Sequence, residues 1–190
     1  MSSFKIPLFR ENLPLAFQLA RIRVTSGFVL AAVFLYFSQP TWSSLAIGLF
    51  IATPGLLMRA WATGHLKKND QLATSGPYAL TRNPLYFGSF LIGTGFTVAG
   101  RNLIILITFL VGFWAIYGST LRLEAKRLQG LFPAEYAHYR DRVPLFFPRL
   151  WPIAKGNGFS LQQYRRNREY RALIGFLGAV MILVLKICYF

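Results

Sequence analysis

The sequence predicts an all-α fold: a polytopic integral membrane protein with about five transmembrane helices and a cofactor pocket on the cytoplasmic side. Three observations predict it. Hydrophobic residues make up 54% of the 190-residue chain and charged residues only 14%, a balance too apolar for an ordinary soluble domain of this size. Hydrophobic runs recur near residues 22–38, 42–62, 85–100, 102–121 and 171–190. The basic residues, which give a formal net charge of +15, gather in segments that five crossings place on one side.

The first run follows Arg21 and Arg23, and Ser38-Gln39-Pro40-Thr41 after it offers no small-x-small cleavage site, so it reads as an uncleaved anchor. Several runs fall short of the ~20 residues of an upright span and must tilt or be partly buried in protein. Only Arg101-Asn102 separates the third run from the fourth, which predicts a tight helical hairpin turning on the non-cytoplasmic side. Gly93-Thr94-Gly95 follows no strand, so it reads as close helix packing by small residues and not as a nucleotide loop. Beyond Leu121 the chain becomes charged and amphipathic, with breaks expected at Gly130 and Pro133 and with Tyr136 and Tyr139 on one face of a new helix. The proline-rich VPLFFPRLWP that follows is read as an extended segment, pressed on the bilayer interface or folded back over the helices. Arg165, Arg166, Arg168 and Arg171 then fix the orientation of the last span and touch anionic lipid.

Of the 21 Lys and Arg, all but Arg101 and Lys186 precede the first span, lie between Arg59 and Arg82, or lie between Arg122 and Arg171. The positive-inside rule therefore places the N-terminus, the 63–84 loop and the 122–170 segment in the cytoplasm. No basic face carries interleaved stacking aromatics on a soluble module, so the charge reads as topology and membrane-lipid contact, with no nucleic-acid partner. Cys188 is the only cysteine, and neither histidine has metal-ligand spacing around it, so no metal is expected.

Residues 72–86, LATSGPYALTRNPLY, form a polar, turn-rich segment between spans. Gly76-Pro77 and Arg82-Asn83-Pro84 each stop a helix, and Tyr78, Arg82, Asn83 and Tyr86 can all hold a ligand. Irregular backbone at membrane depth is tolerated where it is buried in protein or lines a polar cavity, which points to a pocket. The loop from His65 to Tyr86 and the helix-turn-helix from Arg122 to Arg142 face the same compartment. Glu124 is the sole acidic residue in the first part of the latter, and pairing with Arg122, Lys126 or Arg127 is its other reading.

GPYALTRNPLYFG, followed after a hairpin by LRLEAKRLQGLFPAEYAHYRDRVPLFFP, resembles the isoprenylcysteine carboxyl methyltransferase and phospholipid methyltransferase superfamily of integral membrane enzymes. The resemblance covers about residues 59–148 within a single membrane-embedded domain spanning 1–190. It implies S-adenosylmethionine as methyl donor and a lipophilic or membrane-partitioning acceptor: the carboxylate of a prenylcysteine-like compound, or a lipid amine or thiol. The family's donor-binding loop falls on Asp70, Gln71, Leu72 and Ala73, near His65 and Gly76, with the motif tyrosine at Tyr78. Its R-H-P-x-Y element falls on Arg82, Asn83, Pro84 and Tyr86, its acidic pair on Glu124 and Ala125, and its distal motif on Phe132, Tyr136, Tyr139, Val143 and Pro144. Asn83 thus stands for the usual histidine, Ala125 for the second acid and Pro133 for a glycine. Thr120 stands where the eukaryotic enzymes carry a substrate-binding arginine, so Arg122 or Arg142 is expected to take the catalytic, acceptor-aligning role. Methyl transfer needs positioning and exclusion of water more than a nucleophilic side chain, and positioning can supply up to ~7–11 kcal/mol. Two other classes stand beside this reading: a nicotinamide-dependent membrane reductase of the sterol-reductase type, and a non-enzymatic membrane adaptor.

Overall fold

The computed structural model describes residues 33–66, 71–149 and 158–189. Most of the expected first span, and Asp70 with it, lie outside them. Helical residues 33–37 belong to an N-terminal unit of residues 1–37, and the chain from Ser38 onward forms a second unit. Among the described residues of that second unit every regular element is helical, without strands: α1 (Trp42–His65), a short 3-10 turn (Gly76–Ala79), α2 (Pro84–Ala99), α3 (Leu103–Leu131), α4 (Pro133–Arg142), α5 (Leu161–Arg166) and α6 (Tyr170–Tyr189).

Thr41 starts α1 with a capping box: its hydroxyl accepts from the Ser44 amide while the Ser44 hydroxyl accepts from the Thr41 amide. α1, α3 and α6 are long and apolar enough to cross a membrane. α2 is not; its 16 residues rise about 24 Å, short of the ~30 Å hydrocarbon core. Its backbone is instead packed tightly against α1, where Gly48 meets the Gly95 carbonyl and Gly55 meets the Gly88 carbonyl. The two helices run antiparallel, and with glycines two helical turns apart on each they approach until backbone touches backbone. Such contacts bring Cα–H groups onto carbonyl oxygens at about 0.5–1 kcal/mol each. Gly93-Thr94-Gly95 belongs to this packed helix, with Gly93 under the Phe109 ring and Gly95 against Ala52.

The α2–α3 hairpin turns at Gly100–Asn102, with Arg101 in the left-handed region at φ 52° and the Asn102 side chain accepting from the Ile104 and Ile105 amides. α3 departs from expectation. The fourth span and the charged stretch are one continuous helix of 29 residues that runs through Gly130 and stops only at Leu131, where Phe132-Pro133 forces a new start. A glycine costs about 1 kcal/mol against alanine in a helix, too little to break it, whereas proline removes a donor and clashes with the preceding turn.

The proline-rich segment takes the second of its two readings and folds back over the helices. Its backbone pairs with the loop before α2: the Arg82 amide donates to the Pro144 carbonyl at 2.9 Å and the Arg149 amide to the Leu80 carbonyl at 3.0 Å. Thr81 Oγ1 donates to the Phe146 carbonyl at 2.8 Å. Phe146 is thereby inserted among Phe87, Phe90, Phe113 and Trp114, with ring centroids 4.8–5.9 Å away.

α6 buries only Leu183 among its residues and is tied down by charge at both ends. Glu169, just before it, pairs with Arg59 of α1 at 2.7 Å, and Lys186 donates to the Ser38 carbonyl at 2.7 Å.

Candidate functional site

Helix ends and a loop converge at one end of the bundle. Gly76, which opens the 3-10 turn, has a φ of +59° and lies against the His65 ring, and both exclude a side chain. That turn delivers Tyr78 inward, where it is buried, and Tyr139 of α4 donates its hydroxyl to the Tyr78 carbonyl at 2.8 Å. Tyr136, one turn earlier on the same face of α4, is also buried and accepts from Arg82 Nη1 at 3.0 Å, with the guanidinium 5.9 Å from the ring centroid. Val143, Leu72, Leu128 and Phe132 pack around these two tyrosines. On the α3 side Tyr86 donates its hydroxyl to Glu124 Oε2 at 3.2 Å and lies beside Tyr117, so Glu124 faces α2.

One buried polar atom here has no hydrogen-bond partner among the described residues. Arg82 Nε is buried without an acceptor, and an unmet buried guanidinium N–H is costly unless something arrives to accept from it. At the Tyr78 hydroxyl, burial first, and then the carboxylates of Glu124 and Glu169, push the proton affinity well above the ordinary tyrosine value. It stays a neutral donor at any physiological pH. Burial does the same to the Tyr139 hydroxyl.

The structure brings together His65, Leu72, Gly76, Tyr78, Arg82, Tyr86, Glu124, Tyr136 and Tyr139. Ala73 is half-buried in the same loop, Gln71 is exposed at its start, and Asp70 is outside the described residues. The Asn83 side-chain amide donates to the Leu145 carbonyl at 2.9 Å and pins the folded-back segment. Arg122 and Arg142 have exposed side chains, and the Arg142 carbonyl accepts from Arg149 Nη1 at 2.6 Å. Sequence reasoning missed the cluster beside Tyr78, in which Arg59 binds Glu169 through Nε and Ser89 through Nη1 at 2.6 Å. A lone arginine near the end of an apolar run was its only signal. No group of three or more His, Cys, Asp or Glu that could hold a metal occurs among the described residues.

A phospholipid methyltransferase family model matches residues 52–135. The cobalt-zinc-cadmium resistance protein CzcN of Cupriavidus metallidurans is 35% identical over 84% of this chain and 77% of its own length. The nickel-cobalt-cadmium resistance protein NccN of Alcaligenes xylosoxydans xylosoxydans is 28% identical over 84% of this chain and 78% of its own. Human protein-S-isoprenylcysteine O-methyltransferase is 28% identical over 77% of this chain and 56% of its own. No solved structure matches the chain. With the GPYALTRNPLY loop and the α3–α4 motif meeting at one end of a helical membrane bundle, the chain belongs to the isoprenylcysteine carboxyl methyltransferase and phospholipid methyltransferase superfamily.

Proposed function

We propose that the protein transfers a methyl group from S-adenosylmethionine to a lipophilic or membrane-partitioning acceptor, and that its donor pocket is the cluster of Tyr78, Arg82, Tyr86, Glu124, Tyr136 and Tyr139. The observation that carries this is the buried, unpartnered Nε of Arg82 beside the Tyr136 hydroxyl. A carboxylate is the group that such an N–H accommodates best, and the donor's amino-acid end carries one. Glu124, with one oxygen already on Tyr86, has a second oxygen for the donor's ammonium. The neutral Tyr78 and Tyr139 hydroxyls add polarity without charge next to a cationic ligand. Bound there, the sulfonium supplies an activated methyl group. The chain's own part is to hold that end rigid, exclude water with the folded-back segment around Phe146, and present the acceptor in line. Arg142 or Arg122 is assigned to aligning the acceptor.

The same end of the bundle carries every described Lys and Arg except Arg101 and Lys186, and we place it in the cytoplasm. Calorimetry of the detergent-solubilised chain tests the donor reading. S-adenosylhomocysteine should bind, and at one hundred times its dissociation constant should stabilise the fold by about 2.7 kcal/mol. Binding of NADPH alone would instead establish the reductase reading, and binding of neither the adaptor reading.

A further inference from the structure

The last turn of α1 is capped from a distance. A helix leaves its final carbonyls without intrahelical donors, and they are commonly satisfied by a left-handed residue just past the end. α1 has no such residue: Leu66 leaves it in an extended conformation, φ −84° and ψ 109°. Its carbonyls are met by the segment before α6. Asn167 Nδ2 donates to the Thr63 carbonyl at 3.0 Å and the Leu66 carbonyl at 3.2 Å. The Ser160 amide donates to the Gly64 carbonyl at 3.1 Å. The Phe159 ring lies against Gly64, where any Cβ would strike it. One and a half turns earlier, Glu169 holds Arg59, which also reaches Ser89 and the Leu85 carbonyl in the first turns of α2.

All these contacts come from residues 159–169, outside the 52–135 stretch that the family model matches. They converge on the turn that carries His65. The His65 ring, fixed by Nδ1 on the Trp61 carbonyl at 2.9 Å, is what Gly76 packs against, and Gly76 opens the 3-10 turn that delivers Tyr78. Displacing the cap therefore shifts the His65–Gly76 contact and, with it, the 3-10 turn that carries Tyr78.

We propose that residues 159–169 act as a clamp on the donor pocket, with Asn167 as its positioning residue: its side-chain amide caps α1 and thereby sets the His65–Gly76 contact that positions Tyr78. The inference rests on the donor-pocket reading above. Asn167 touches no donor; it acts through α1. Frayed, the last turn of α1 has to be re-ordered each time the donor binds, so losing the cap raises the dissociation constant of the donor while leaving the chemistry unchanged.

The test is calorimetry of S-adenosylhomocysteine on the full chain in detergent, comparing wild type with Asn167→Ala, Asn167→Asp and Asn167→Gln. Alanine removes two hydrogen bonds and should weaken binding about tenfold. Aspartate turns an acceptor towards two carbonyls and should weaken it at least as much. Glutamine keeps the amide donor and should stay within about threefold of wild type. A purely structural role would lower the folded fraction, and so the binding stoichiometry, without moving the dissociation constant of the molecules that fold. Unchanged dissociation constants in the alanine and aspartate variants overturn the inference alone. Absence of binding by the wild-type protein removes the donor-pocket reading, and this inference with it.

Discussion

Asn83 donates from its side-chain amide to the Leu145 carbonyl at 2.9 Å, which ties the start of α2 to the folded-back segment 62 residues later. The superfamily's usual histidine at this position implies a ligand contact; here the side-chain amide meets a backbone carbonyl. Asn83→Ala should leave that acceptor unmet and lower stability by about 1–3 kcal/mol, read as a fall in melting temperature in detergent. Asn83→His, whose ring N–H is a donor, should recover most of the loss. A histidine variant as unstable as the alanine one would show that the carbonyl contact is not what this position contributes.

The glycines separate into two kinds. A Cβ at Gly48 or Gly95 meets backbone of the other helix, whereas Gly112 and Gly118 on α3 have open space around them. Gly95→Ala should therefore force α1 and α2 apart and lower the melting temperature. Gly118→Ala should be neutral or stabilising by up to about 1 kcal/mol, because alanine is the better helix former. Equal effects from the two would mean that backbone contact between α1 and α2 does not hold the bundle.

The site's local chemistry was legible in the sequence and its long-range ties were not. Gly76, Pro77 and Pro84 impose backbone geometry by themselves, so the turns on either side of Tyr78 and Arg82 could be read directly. Tyr136 and Tyr139 share a face by helical spacing alone, as α4 has them. The Arg59–Glu169 pair, 110 residues apart, leaves no local trace, since any of the basic residues near that end could have met Glu169. Asn167 likewise looks like a loop residue until the carbonyls it caps are known. The extent of α3 was misjudged at Gly130 because a local propensity was weighed without the helical run on either side of it.

Tyr78 gives a pH dependence. Its proton affinity is raised by burial and by Glu124, so above pH ~10 the unfolded chain loses this proton while the folded chain keeps it. The contribution is complete below the ordinary tyrosine range and is lost as pH rises, by about 1.4 kcal/mol per pH unit for one such hydroxyl. Tyr78→Phe, which keeps the backbone carbonyl that Tyr139 donates to, should flatten the alkaline limb of the stability curve while changing stability little at pH 7. An unchanged limb would mean that Tyr78 is not held neutral.

Orientation is tested with single cysteines in a Cys188→Ser background. Thr74→Cys and Gln162→Cys occupy exposed positions at the end assigned to the cytoplasm, and should resist an impermeant thiol reagent in intact cells. Leu103→Cys, exposed at the start of α3 next to Arg101, should label. The reverse pattern would invert the protein in the membrane.

Glu124 and Arg142 should leave different kinetic marks. Glu124 accepts from Tyr86 at 3.2 Å, and a glutamine there keeps an oxygen for that bond, so Glu124→Gln removes the charge and leaves the α2–α3 contact in place. If the carboxylate holds the donor's ammonium, its loss costs one charge-assisted contact, about 1.5–3 kcal/mol, and weakens donor binding by about 10- to 150-fold. Arg142 ends α4, next to Val143, where the chain turns back over the helices. Arg142→Lys keeps a positive charge and loses the planar fork, so turnover should fall with little change in donor affinity if the side chain aligns the acceptor. Calorimetry with S-adenosylhomocysteine and turnover at saturating donor read the two effects separately. Normal donor affinity in Glu124→Gln would withdraw the first assignment. Full turnover in Arg142→Lys would move the aligning role to Arg122, where the same substitution should then lower it.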